Sequence, residues 1–185
     1  LHAMVACRPV GESFQCLGRR SRFRARHDRR HDRARAPACE RSKRGAERQA
    51  IGRSRGGLST KIHAAVDGLG NPLRLILTAG QVHESTEAAN LVDGLTLIGV
   101  IADKGYDADH FRILLADAEV DVVIPPNGSR KAEIAYDENA YKLRYRIECF
   151  FNKLKHYRRV ATRFDKLARN CHSMLYLAAA MIWMR

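Results

Sequence analysis

Between residues 141 and 155 the chain runs without proline or glycine, and its apolar positions recur at helical spacing. Leu143, Ile147, Phe151 and Leu154 fall on one stripe, while Tyr141, Arg144, Glu148 and Lys155 fall on a neighbouring one. The pattern predicts a single helix that buries the first stripe and presents the second. Upstream, residues 58–66 alternate as a strand, 67–72 are dense in turn formers, and 73–78 read as a second strand, so the three make a hairpin. A helix is predicted over 84–95, a buried strand over 98–102, a helix over 108–118 and a short strand over 121–124, stopped by Pro125 and Pro126. A last apolar helix covers 171–184. This order predicts an α/β sandwich built on a mixed sheet.

The first fifty residues show neither period. They hold 14 Lys and Arg against 5 Asp and Glu, and 19–35 is close to low complexity. Such a segment buries too little apolar area to offset its ordering entropy, so 1–50 is expected to be a disordered tail or an out-of-frame segment, with the folded domain over 51–185. The whole chain carries a formal charge of +13, which points to a polyanionic partner, nucleic acid first and acidic lipid second. Part of that charge is ordered: residues 141–169 alone hold 10 basic and 2 acidic side chains.

Five cysteines without C-x-x-C spacing predict neither a zinc site nor a disulfide framework, and they suit a reducing cytoplasm. No stretch is apolar over the length a membrane span requires, and residues 1–18 lack the pattern of a secretion signal. A cytoplasmic protein without a membrane partner is the expectation.

The candidate chemistry rests on two acids. Glu148 is a lone carboxylate in a basic helix, and its spacing from Arg144 also suits an ordinary surface ion pair. Asp103 terminates the apolar run Ile98-Gly-Val-Ile-Ala102 just before Gly105, which places a carboxylate at the end of a strand, where α/β sheets build sites. Two acids on separate elements can share a cation. His63 and His83 remain unassigned, each being as compatible with a satisfied core or turn position. The basic Gly52-Arg-Ser-Arg-Gly-Gly57 loop lacks the ending of a P-loop.

The spacing of Tyr141, Arg144, Glu148 and Lys155 resembles the Y-R-E-K signature of bacterial insertion-sequence transposases of the DDE type. Asp103-Lys-Gly-Tyr-Asp107 is similar to the segment bearing that family's second catalytic aspartate, and 52–63 is similar to the stretch ahead of its second strand. The resemblance covers about 51–185. It implies a ribonuclease-H-like mixed sheet with flanking helices, DNA ends and target as partners, cleavage and strand transfer as the reaction, and a homodimer as a compatible assembly. It further implies that Asp103 and Glu148 are two of three carboxylates holding a pair of Mg2+ ions, with Tyr141, Arg144 and Lys155 contacting DNA. The family's first aspartate lies on a central strand for which 1–50 offers no apolar candidate; Asp28 and Asp32 sit among arginines. The expectation is therefore an incomplete sheet with its central first strand absent, from a decayed copy, a frame change upstream or one half of a frameshifted product. A DNA-binding remnant without catalysis and a nuclease without strand transfer are the competing readings.

Overall fold

A computed structural model describes residues 14–19, 23–24, 49–54, 57–132 and 134–184. Its centre is β4 (Gly57–Asp67), buried from Ser59 to Val66, which means that both faces of the strand are covered. Alternation divides those faces. Ile62, Ala64 and Val66 enter one core cluster and Ala65 enters the other. The hairpin partner β5 (Pro72–Ala79) pairs antiparallel with β4, with a register shift between Ala65 and Val66. In the connecting turn the Asp67 carboxylate accepts from the Leu69 and Asn71 amides, each at 2.8 Å, and Gly70 takes the positive φ of 91° that the turn requires.

On the other side of β4 lies β1 (Phe14–Arg19), antiparallel to β4 and parallel to β6 (Gly99–Ile101). This corrects the expectation of an absent central strand. The composition of the first fifty residues hides the short segment Phe-Gln-Cys-Leu-Gly-Arg, but β4 and β6 each present an edge of backbone donors and acceptors, and that segment satisfies both. Two short strands extend the flanks of β4: β2 (Phe23–Arg24) beyond β1 and β3 (Gly52–Ser54) beyond β5. The sheet closes with β7 (Asp121–Val123), parallel to β6. From edge to edge the main strands run β5, β4, β1, β6, β7, the antiparallel part on one side of β1 and the parallel part on the other. Beyond β1, β2 and residues 49–50, the expected disordered tail lies outside the described residues.

Helices cover both faces. A 3-10 turn (Glu84–Glu87) leads into α1 (Ala88–Val92), shorter than the helix expected over 84–95; with α2 (Asp109–Asp117) it packs Leu91, Phe111 and Leu115 against Val100 and Ala102. The opposite face is covered by α3 (Glu138–Lys142), α4 (Tyr145–Lys155), α5 (Arg158–Ala161) and α6 (Ala168–Trp183), whose Ile147, Phe150, Phe151, Leu154 and Leu175 meet Ile62, Ile101 and Val123. The helix α6 also protects the outer edge of β5. His172 and Tyr176 hydrogen-bond the Leu75 carbonyl at 3.0 and 3.3 Å, and the Trp183 indole donates to the Pro72 carbonyl at 2.7 Å.

The single helix expected over 141–155 is two. Around Leu143 and Arg144 the amides bond three residues back, Leu143 to Ala140 and Arg144 to Tyr141, each at 3.0 Å, so the chain winds tightly and then restarts. No proline or glycine marks the break, which is why periodicity did not show it. The buried Arg163 guanidinium donates to the Ala50 carbonyl at 2.8 Å, the Gln49 carbonyl at 2.6 Å and the Thr60 hydroxyl, and so fastens residues 49–50, ahead of β3, to β4, while the Gln49 side chain accepts from the Ala168 amide at the start of α6 at 2.8 Å.

Candidate DNA-processing site

The buried strand β6 delivers Asp103 two residues past its end. There Asp103 caps a 3-10 turn (Lys104–Tyr106), its Oδ1 accepting from the Lys104 amide at 2.9 Å, and the residue is only 5% exposed. Ile101 faces the layer of α3 to α6, and Asp103, two positions on, has the same parity. From that layer the Tyr141 hydroxyl reaches Asp103 Oδ1 at 3.5 Å. Burial first, and then the negative charge of Asp103, push the Tyr141 phenol up to about 12, so it stays neutral and donates. The Tyr136 ring meets Tyr141 edge to face, with centroids 5.6 Å apart.

The break between α3 and α4 turns Arg144 back over Tyr141, its guanidinium carbon 5.7 Å from the ring centroid. Arg144 Nη2 is 2.8 Å from Glu148 Oε1, while its Nη1 is buried with no hydrogen-bond partner among the described residues. Glu148 lies in the first turn of α4, where a carboxylate suits the positive end of the helix dipole. Asp103, Tyr141, Arg144 and Glu148 thus form one continuous chain of contacts, in which the two acids are linked through the tyrosine and the arginine. Lys155 stands apart. It is the exposed last residue of α4, seven residues or about 10 Å along the axis from Glu148, and hydrogen-bonds Asn152 at 3.2 Å.

The first carboxylate of the expected triad has no counterpart on β1. Continuing the pairing of Cys16 with Ile101 brings position 18, a glycine, beside Asp103, and Phe14–Arg19 contains no acid. Among the described residues no three His, Cys, Asp or Glu side chains cluster closely enough to hold a metal ion. Asp28 and Asp32 lie outside the described residues. The donor set, one buried carboxylate and one half-exposed carboxylate on facing elements, fits a single hard divalent cation by its chemistry; it does not supply the ligands of a pair.

Three further groups escaped the sequence reading. Asp107, its side chain fully buried, accepts from Arg112 Nε at 2.7 Å, Arg130 Nε at 2.9 Å and the Asn127 amide at 2.7 Å. It pins the loop after β7 to the turn after β6. The buried Lys61 and Glu84 are paired at 3.2 Å. Arg163 is the third. The Lys61–Glu84 pair and the Arg163 bonds to Gln49, Ala50 and Thr60 join distant positions, and the five-residue spacing of Asp107 and Arg112 was the one local signal between side chains. His63 is a satisfied core residue, bonded to Thr78 at 2.8 Å and Tyr106 at 3.2 Å.

The family model described as "Transposase DDE domain" matches residues 28–183, reaching upstream of residue 51. The chain is 44% identical over 130 residues, 69% of its own length and all of the relative's, to the Brucella ovis protein named "Putative transposase for insertion sequence element IS6501". It is 30% identical over 135 residues to the like-named protein for IS402 of Burkholderia cepacia, spanning 66% of this chain and 62% of that one. No solved structure matches the chain. Among the described residues no helix is long and apolar enough to cross a membrane. A mixed sheet covered by helices agrees with the sequence matches: the chain belongs to the DDE transposase domain family of insertion-sequence elements, whose function is DNA transposition.

Proposed function

We propose that this domain cleaves a phosphodiester at the end of its element in the cytoplasm and joins the freed 3′-hydroxyl to target DNA, with Asp103 and Glu148 as Mg2+ ligands and Tyr141, Arg144 and Lys155 as DNA contacts. The observation that carries the reading is the unbroken contact chain from Asp103 through Tyr141 and Arg144 to Glu148. In the first step a water oxygen bonds to phosphorus and the 3′-oxygen leaves as the hydroxyl; in the second that hydroxyl attacks a target phosphodiester. Bound between the two carboxylates, a divalent cation would lower the pKa of its water and neutralise charge on the phosphoryl oxygens.

The chain's own side chains do the positioning. Arg144, its guanidinium plane held by Glu148 on Nη2, is a charged donor for a phosphate oxygen. Neutral Tyr141 orients Asp103 by donating to Oδ1. Lys155, about 10 Å further along α4, would meet a phosphate away from the scissile one.

A second reading is favoured by a specific observation, the lack of an acid on β1: the chain retains element ends without cutting them. Incubating the purified chain with labelled element ends and Mg2+ decides. Joined products support transposition, cleavage without joining supports a nuclease, and retention of uncut DNA supports the second reading.

A further inference from the structure

We propose that the buried ion pair of Lys61 and Glu84 is a positioning device for Asp103, setting the height and tilt of the turn that carries it. Both residues are nearly inaccessible, at 4% and 5% exposure, and lie on the face of the sheet opposite Glu148. Lys61 Nζ bonds Glu84 Oε1 at 3.2 Å and the Val82 carbonyl, tying the segment after β5 to the middle of β4. The Glu84 side chain then forms the floor beneath Gly105. A Cβ on that glycine would stand 3.3 Å from Glu84 Cγ and 3.6 Å from its Cβ and Cδ. Gly105 is the middle residue of the turn capped by Asp103. Two positions on from Lys61 and on the same face of β4, His63 holds the last residue of that turn by hydrogen bonding the Tyr106 hydroxyl. The turn therefore rests on β4 at two points, through Glu84 and through Tyr106, while Tyr141 meets Asp103 from the other side.

Stability does not require a charged pair here. Burying two ions costs desolvation that an apolar pair of similar volume avoids, so a floor of two aliphatic side chains would hold the layers together as well. What the pair adds is a fixed length and direction, since Lys61 is held by two acceptors and Glu84 can adopt few rotamers while bonded to it.

The proposal rests on the reading of Asp103 as a metal ligand, and its test separates the two. In the full chain, Lys61→Met with Glu84→Leu removes the pair and keeps the volume. The double variant is expected to melt as the parent does, with amide exchange over 103–107 about tenfold faster and exchange over 109–117 unchanged. Half-saturation by Mn2+, read from water proton relaxation, is expected to rise about tenfold, as for other groups that orient a metal ligand. Unchanged exchange over 103–107 in the folded double variant overturns the proposal. If the parent gives no Mn2+ signal, the ligand reading of Asp103 fails while the exchange measurement still decides the positioning role. If the double variant does not fold, Glu84→Gln, which keeps shape and one acceptor, is held to the same exchange criterion.

Discussion

The Tyr141 hydroxyl meets Asp103 Oδ1 across 3.5 Å, joining the helical layer to the end of a buried parallel strand. The contact exists because α3 and α4 are separate helices, which lets Tyr141 face the sheet while Glu148 follows its own axis. Burial and the neighbouring carboxylate raise the phenol to about 12. A raised folded-state value means that stability from this group is complete below its ordinary value of 10 and is lost as pH climbs through 12. Tyr141→Phe is therefore expected to flatten the fall in unfolding free energy between those limits, and to remove one late-titrating phenol from the alkaline absorbance titration. An identical decline in the variant would show that Tyr141 titrates as if exposed.

Glu148→Gln should abolish nicking and leave retention of element ends intact, because it removes a carboxylate ligand and keeps the shape beside Arg144. Equal loss of both in a gel-retention and cleavage assay would end the role assigned to Glu148. Lys155→Ala should instead weaken retention and lower the slope of log affinity against log salt by about one.

Gly18 sits, by register, where a third carboxylate would stand beside Asp103. Gly18→Asp is expected to tighten Mn2+ binding by at least about tenfold, since each added carboxylate supplies a hard oxygen and cancels charge. Calorimetric titration showing equal affinity in both chains would contradict the pairing of β1 with β6 or the ligand role of Asp103.

Asp107 should matter for the fold. Burial alone would raise its carboxyl, but the Asn127 amide and the guanidinium groups of Arg112 and Arg130 together outweigh burial and hold it below the ordinary range. Its stabilising contribution is present above pH 3.8 and lost as pH falls through the lower folded value. Asp107→Asn is expected to cost about 2–4 kcal/mol in urea unfolding at neutral pH and to remove part of the acid slope. A cost under about 0.5 kcal/mol, the usual effect of a surface change, would contradict the pinning role.

The β4–β5 hairpin and the strand ending in Asp103 were legible because alternation and apolar runs are local signals, and the same is true of the apolar stripe of α4. β1 was not legible, since its pairing is decided by the open edges of β4 and β6 while its neighbours are arginines. The break at Leu143 and Arg144 was hidden for the opposite reason: every residue there suits a helix, and neither proline nor glycine marks it. The pair of Lys61 and Glu84 joins positions 23 apart, and no short-range pattern reports it.

Arg163 bonds the carbonyls of Gln49 and Ala50, which precede it by 114 and 113 positions. During synthesis the Ala50 carbonyl can accept from the Thr60 hydroxyl as soon as β4 forms, but the Arg163 bonds must wait until residue 163 has been made, so this closure is a late event and cannot guide the β4–β5 hairpin. It follows that a chain interrupted before Arg163 can assemble β4 and β5 yet leave residues 49–50 unlatched, and proteolysis near residue 50 would report whether translation had passed that point.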